Sequence, residues 1–457
     1  MLGKIKSIFT DKDFIKQTLT IAIPVTLQNL IMSSVNTIDT FMITQLGTNA
    51  TAGVGLANQV FFFFNFFLFG INTGSSALFS RYFGSGNLEK VQKTLGYAIK
   101  ISFLVSFLFT IASFFYPEHL LRLFTDNVDV IKAGAIYLKT VCLSFIITSF
   151  SFTIGVGMRS IGNAKTPLIA TLFAFFSNSF FNYCFMFGKF GFPELGVQGA
   201  AVGTIIAKFI EFFILVYVIK KYRSPLYSNF NTAFSTDKFF RKSYFIFILP
   251  VIVEEVFWSL SQVLYNKTYA MIGVDATASM QIAGAISGLL YIACRGLGSS
   301  STVLVATKLG ENNRERAQDI AVKSSILGFL MGGIIGIFLI LFPGAFLVVF
   351  NKLTPEVYML TKKALVVLGI YYAIRTYNSV AVVGVLRGGG DIKFSMIVEL
   401  ACAWLIGVPV SFVAVIFFNV DLPTLMLLLG LEEIAKAICV TPRIINKKWM
   451  KNLVKAS

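Results

Sequence analysis

Long apolar runs recur from one end of this chain to the other, for example over 101–116, 324–342 and 422–431. With their flanks, each approaches the roughly 20 residues that span about 30 Å of hydrocarbon, and about twelve can be counted. Only 13% of the residues are charged and the mean hydropathy is +0.77, against roughly 25% charge in soluble globular proteins. Lipid is therefore the solvent to which the fold must answer. In lipid every backbone polar group needs an internal partner, which leaves helices or a closed barrel. Unbroken apolar runs, without dyad alternation, select helices.

The first run follows Lys4, Lys6, Lys12 and Lys16. It is about a full span long and no small-residue cleavage site follows it, so it reads as a retained helix and not as a signal peptide. Cys142, Cys184, Cys294, Cys402 and Cys439 lie far apart within apolar runs, without metal-binding or disulfide spacing. The net charge of +17 is distributed by loop. Lys and Arg gather at the N-terminus, at 81–93, at Arg159 and Lys165, at 220–242, at 308–316, at Arg387 and Lys393, and from Arg443 onward, whereas the intervening loops are poor in them. The positive-inside rule then puts both termini and the long middle loop in the cytoplasm, which requires an even number of spans. The charge is topological, and no nucleic-acid partner is implied.

The chain is also written twice. Pro24 in IPVTLQNL matches Pro250 in LPVIVEEV, and Gly47 in LGTNATA matches Gly273 in IGVDATA at the same offset. Tyr116-Pro117 and Phe342-Pro343 keep that offset, and GMRSIGNAK matches VLRGGGDIK at one only slightly longer, as a small insertion would produce. Two parallel six-helix repeats follow, with an expected N-lobe at 1–219, a cytoplasmic linker at 220–241 and a C-lobe at 242–457. Transporters built from such repeats hold substrate near the midplane, at the repeat interface. The pairs Gly70/Gly74, Gly284/Gly288 and Gly332/Gly336 read as close helix contacts.

The ordered set of IPVTLQNLIMSSVNTIDTFMI, ALFSRYFGSGN, GVGMRSIGNAKTP, NSFFNYCFMFG and GVQGAAVGTIIA, then LPVIVEEVFWSL, VATKLGENN, GVLRGGGDIKF and IGVPVSF, resembles the multidrug and toxic compound extrusion family over nearly the whole chain. It departs only after the first helix, where Thr44-Gln45-Leu46-Gly47 stands in place of a small residue before Leu-Gly. The resemblance implies a V-shaped pair of six-helix lobes in the cell membrane. It also implies a functional monomer that exports diverse cationic or amphiphilic molecules in exchange for H⁺ or Na⁺, with no other cofactor.

Ionisable groups inside a span cost several kcal/mol and need a reason to be there. Asp39, with Asn36 one turn before it, matches the family's first-helix acidic position, so Asp39 is a candidate for binding the coupling ion or substrate; its alternative is an interfacial or structural aspartate. Glu255 stands three residues before Trp258, a pattern of one family branch, and is the second candidate; Na⁺ is conceivable at either. Glu254 points about 100° away on the same helix, so the two glutamates are not both expected to face the cleft. Asn178 and Asn182 share a helix face and can coordinate a cation, orient Asp39 or join helices. Arg375 and Glu399 are expected to pair structurally. Glu432 with Lys436 and Lys208 with Glu211 have the spacing of local pairs, the first near the interface, and Glu211 also serves as an interior carboxylate if it faces inward. Tyr265 and Gln281 are weaker polar candidates. Arg159 and Arg387, beside glycines, read as anchors of tight turns and lipid headgroups.

The only histidine, His119, stands in an outer loop, and no Ser/His/Asp, HExxH or Walker pattern occurs, so an enzyme is not indicated. The rival of the same superfamily is a lipid-linked sugar flippase. It would be expected to place Arg295, Arg375, Lys208 and Lys267 in the central cavity, whereas the candidate cleft residues named above are mainly acidic.

Overall fold

The computed structural model describes residues 8, 10–227, 235, 237–350 and 353–451, and it is helical, with no strand among the described residues. Its twelve long elements are α1 (Lys12–Thr44), α2 (Thr48–Gly84), α3 (Leu88–Phe115), α4 (Val128–Val141 and Leu143–Ser160, broken at Cys142), α5 (Lys165–Phe187), α6 (Val197–Lys221), α7 (Lys238–Ile272), α8 (Val274–Gly310), α9 (Arg314–Leu341), α10 (Pro355–Gly389), α11 (Ile392–Phe418) and α12 (Leu422–Ile445). Eleven are long and apolar enough to cross a membrane. The exception is α12. At 24 residues it is about 36 Å long, but Glu432, Glu433 and Lys436 interrupt its apolar stretch.

The punctuation of these helices repeats as the sequence does. Gly47 and Gly273, both at positive φ, start α2 and α8. Asn87 and Asn313 cap α3 and α9 through the backbone N–H groups of Lys90 and Arg316. Pro117 and Pro343 each open a short helix, Pro117–Arg122 and Pro343–Leu347, where a missing N–H costs nothing. Pro24 and Pro250 instead lie inside α1 and α7, where the ring removes one i→i−4 hydrogen bond.

By contacts the chain divides into residues 27–248 and residues 1–26 with 249–457. Of the expected linker 220–241, residues 228–234 and 236 lie outside the described residues, as do Lys4 and Lys6. The unit 27–248 is centred on Val54, Phe64, Leu138, Phe145 and Ala201, with Phe64 and Phe145 stacked at 4.8 Å; Phe62 and Phe63, on other sides of the same helix, are exposed. The other unit is centred on Tyr265, Ala283, Leu365, Tyr372 and Met426. There α9 and α10 approach closely: a Cβ on Gly332 would meet Thr376 Oγ1 at 2.5 Å, and one on Gly336 the carbonyl oxygen of Gly369 at 2.5 Å. Gly284 and Gly288, expected to pack likewise, have no such neighbour within 4 Å.

Two π-helical turns, Val380–Leu386 in α10 and Cys402–Gly407 in α11, interrupt this second unit. Such turns widen a helix locally and occur disproportionately at functional sites. Here they flank Asn378, Arg387 and Glu399.

Candidate functional site

In the unit 27–248, Asn182 of α5 donates from Nδ2 to Asp39 Oδ1 of α1 at 2.8 Å and to Asn178 Oδ1 at 3.3 Å. Asn178 in turn donates to Thr204 Oγ1 of α6 at 3.2 Å. Tyr137 lies against Thr204 and within electrostatic reach of Asp39. Gly203 makes the arrangement possible, since a Cβ there would collide with Asn182 Oδ1. That oxygen is buried with no partner among the described residues. Asn182 thus turns its amide N–H to the half-buried Asp39 carboxylate and its amide oxygen to Gly203. Asn36 stays on an exposed face and does not join them.

A second chain of polar contacts crosses the same unit. Arg159 donates to Gln28 Oε1 at 2.7 Å, Gln28 to Thr171 Oγ1 at 2.9 Å, and Thr171 to Glu211 Oε1 at 2.9 Å. Lys208 closes the chain on Glu211 Oε2 at 2.9 Å. Glu211 does face inward, but paired.

The unit containing 249–457 holds the larger cluster. Arg387, only 4% exposed, reaches Glu254 Oε1 at 2.8 Å through one guanidinium nitrogen and Glu255 Oε1 at 3.1 Å through the other. The two glutamates point apart on α7, yet one planar fork spans both. Arg387 is therefore no headgroup anchor: Gly388, packed against the backbone of Thr302, draws it into the interior. Arg159, likewise, spends its guanidinium on Gln28. Deeper in the second unit, Lys436 of α12 contacts Glu432 at 2.8 Å, Glu399 at 3.1 Å and Glu433 at 3.8 Å. Tyr265 donates its hydroxyl to Glu432 Oε2 at 2.6 Å, and Asn378 donates to Glu433 Oε2 at 2.7 Å.

The expected Arg375–Glu399 pair does not form. Arg375 donates to Ser287 at 3.3 Å and stacks on Tyr291 at 5.1 Å, while Glu399 goes to Lys436. The local Glu432–Lys436 pair does form, and it is buried. Gln281 is exposed on α8 and joins neither cluster. Sequence reasoning missed Arg387, Glu433 and Asn378 as members. The available signal was the repeat itself: Arg387 is the repeat mate of Arg159, and Glu254 that of Gln28, so one interaction is written in both halves.

The MatE family pattern matches residues 24–184 and 250–413, two blocks that open on the repeat-related prolines Pro24 and Pro250. The chain belongs to the MatE family. Members of this family are transporters, not enzymes. Among curated relatives, a probable multidrug resistance protein NorM from Thermotoga maritima is 27% identical over 444 residues, covering 96% of this chain and 94% of its own. A probable multidrug resistance protein YoeA from Bacillus subtilis is 24% identical over 374 residues, covering 80% of each. Among solved structures, a MATE protein in the bent conformation matches this MatE chain with a TM-score of 0.87 at 17% identity, over 96% of this chain and 98% of the other.

Proposed function

We propose that the protein exports cationic, amphiphilic small molecules across the cell membrane in exchange for inward-moving H⁺ or Na⁺. One observation carries this reading. In the unit containing 249–457, five carboxylates (Glu254, Glu255, Glu399, Glu432 and Glu433) share only two cations within 4 Å among the described residues, Arg387 and Lys436. Arg375 acts on Glu433 only at longer range. Unbalanced negative charge in a low-dielectric interior calls for a proton or a bound cation. When water re-enters, the same groups can release it, and a drug cation can compete for the same charge. Asp39 with Asn182 offers a second cation-binding point in the other unit. Both sites favour positive ligands, and the curated relatives are named multidrug resistance proteins.

The flippase reading needs free interior cations, and the arrangement weighs against it: Lys208 is spent on Glu211, Lys267 is exposed, and Arg295 and Arg375 stack on Tyr291. The test is ethidium movement in proteoliposomes under an imposed pH gradient, an imposed Na⁺ gradient, or neither. Movement that depends on one gradient is expected. A folded protein that moves ethidium under neither would overturn the reading and direct the next assay to lipid-linked substrates.

A further inference from the structure

The turns that follow α4 and α10 are repeat-related: Ile161 corresponds to Gly389 and Asn163 to Asp391, at the offset that separates GMRSIGNAK from VLRGGGDIK. In the unit containing 249–457, the space over that turn is filled by the chain's own end. Trp449 is fully buried, its Nε1 donates to Gln318 Oε1 at 3.1 Å, and its ring lies so close to Gly389 that any Cβ there would collide with it. The backbone N–H of Lys451 donates to the carbonyl of Gly389 at 3.0 Å, and Arg443 holds Asp391 at 2.7 Å.

In the unit 27–248 no segment among the described residues fills the corresponding place. It is a cavity of about 530 Å³ whose lining includes Met158, Ile161, Asn163, Thr166, Val218 and Tyr222. Leu226, just past the end of α6, packs beside Gly157. The cavity walls are mainly apolar, and one of them, Ile169, is half exposed on the outer face of α5. The basic residues that adjoin lining residues in sequence, Lys165, Lys221 and Arg223, are exposed. Lys221 lies over the rings of Tyr217 and Tyr222 at 5.2 and 5.7 Å. No acidic residue occurs in 155–170 or 212–227.

We propose that this groove is a binding site for an anionic phospholipid, its phosphate drawn to Lys165, Lys221 and Arg223 and its glycerol and upper acyl chain seated against Met158, Ile161 and Ile169. The sign of the rim excludes the cationic export substrate, and a free phosphate would leave the apolar walls uncovered. Clustered Lys and Arg at a membrane surface with adjacent aromatic rings recognise such a lipid by charge and depth together. The lipid takes, in one repeat, the place that Trp449 takes in the other.

The experiment is native mass spectrometry of the delipidated protein with phosphatidylglycerol and, separately, phosphatidylcholine of the same acyl chains. One phosphatidylglycerol should be retained at least about tenfold more tightly than phosphatidylcholine. That preference should vanish in the triple variant Lys165→Ala, Lys221→Ala, Arg223→Ala. Ile161→Trp, which supplies the groove with its own indole, should lose both lipids, with thermal unfolding confirming that it folds; if it does not fold, the triple variant decides. Equal retention of the two lipids would overturn the proposal, as would a preference that survives the triple variant. Displacement by soluble glycerol 3-phosphate at equal concentration would overturn the apolar half of the site, and displacement by ethidium would reassign the groove to substrate.

Discussion

The two halves of this chain carry one polar framework with different charges on it. Arg159 holds a neutral amide, Gln28, where Arg387 holds the carboxylates of Glu254 and Glu255. Thr171 in the first copy stands where Glu399 stands in the second, and Asp39 where Tyr265 stands. On the last helix of each half a Lys and a Glu three residues apart are paired, Lys208 then Glu211 in one and Glu433 then Lys436 in the other. The first framework is close to charge balance, with Lys208 matched to Glu211. The second carries acids in excess of its cations. Duplication thus preserved where polar groups are tolerated inside a lipid-facing fold, while substitution decided which copy retains negative charge. A buried charge cluster is weak evidence for stability, because desolvation offsets attraction; an unbalanced one is better explained by a ligand.

The largest effect that would break the comparison concerns export. Glu255→Gln and Asp39→Asn should each abolish gradient-driven ethidium export while leaving membrane insertion intact, as read by transport and by protein recovered from the membrane. Normal export by both would remove the ion-binding role from either half. Next in size, Arg387→Ala should destabilise the protein by about 3–5 kcal/mol, because it strands Glu254, which is 2% exposed. Arg159→Ala, which strands only an amide, should cost about 1.5–3 kcal/mol. Thermal unfolding in detergent ranks the two, and equal losses would mean that the carboxylates are not what distinguishes the halves. A sharper version is Glu254→Gln, which writes the amide of Gln28 into the other half. It leaves Arg387 an acceptor and should change stability by no more than about 1 kcal/mol.

Gly203→Ala should come next, at about 1–3 kcal/mol, with weakened export. Its Cβ displaces Asn182 and so removes the donor to Asp39; unchanged export would show that this hydrogen bond is dispensable.

The smallest effect belongs to the clasp at the start of α1. There Asp11 contacts Arg316 and Lys323 of α9, each at 2.7 Å. The hydrogen bond from Arg316, joined by that from Lys323, holds the Asp11 carboxyl well below the usual carboxylate range. A depressed carboxylate stabilises the fold at pH values above its ordinary titration, and that contribution is lost only as pH falls through the depressed value. Asp11→Asn should therefore lower the unfolding temperature slightly, with a deficit that is constant from about pH 5 to 8. A deficit that grew across that window would contradict the pairing.

Much of the fold was legible because its signals are local or periodic. Gly47 and Gly273, Asn87 and Asn313, and Pro117 and Pro343 each act within one turn of themselves, and each recurs at one offset. The pairing of Asn178 with Asn182 was legible for the same reason. The partners of the charged groups were not. Arg387 beside three glycines looks like a turn anchor until the approach of α8 to Gly388 shows that it is buried. Arg375 and Glu399 look like natural partners, yet Lys436, already matched to Glu432 along its own helix, has donors enough to hold Glu399 as well. Gly284 and Gly288 have the spacing of a packed pair, and spacing alone carries no information about a neighbouring helix.

Exchange requires a counter-ion to cross as the drug does, and its flux can be followed. Proteoliposomes containing an internal pH dye, or radioactive Na⁺, would be given an ethidium gradient and no ion gradient. Ethidium leaving one side should drive H⁺ or Na⁺ the opposite way, and the flux should disappear with Glu255→Gln. Ethidium crossing through the folded protein with neither ion moving against it would contradict the account.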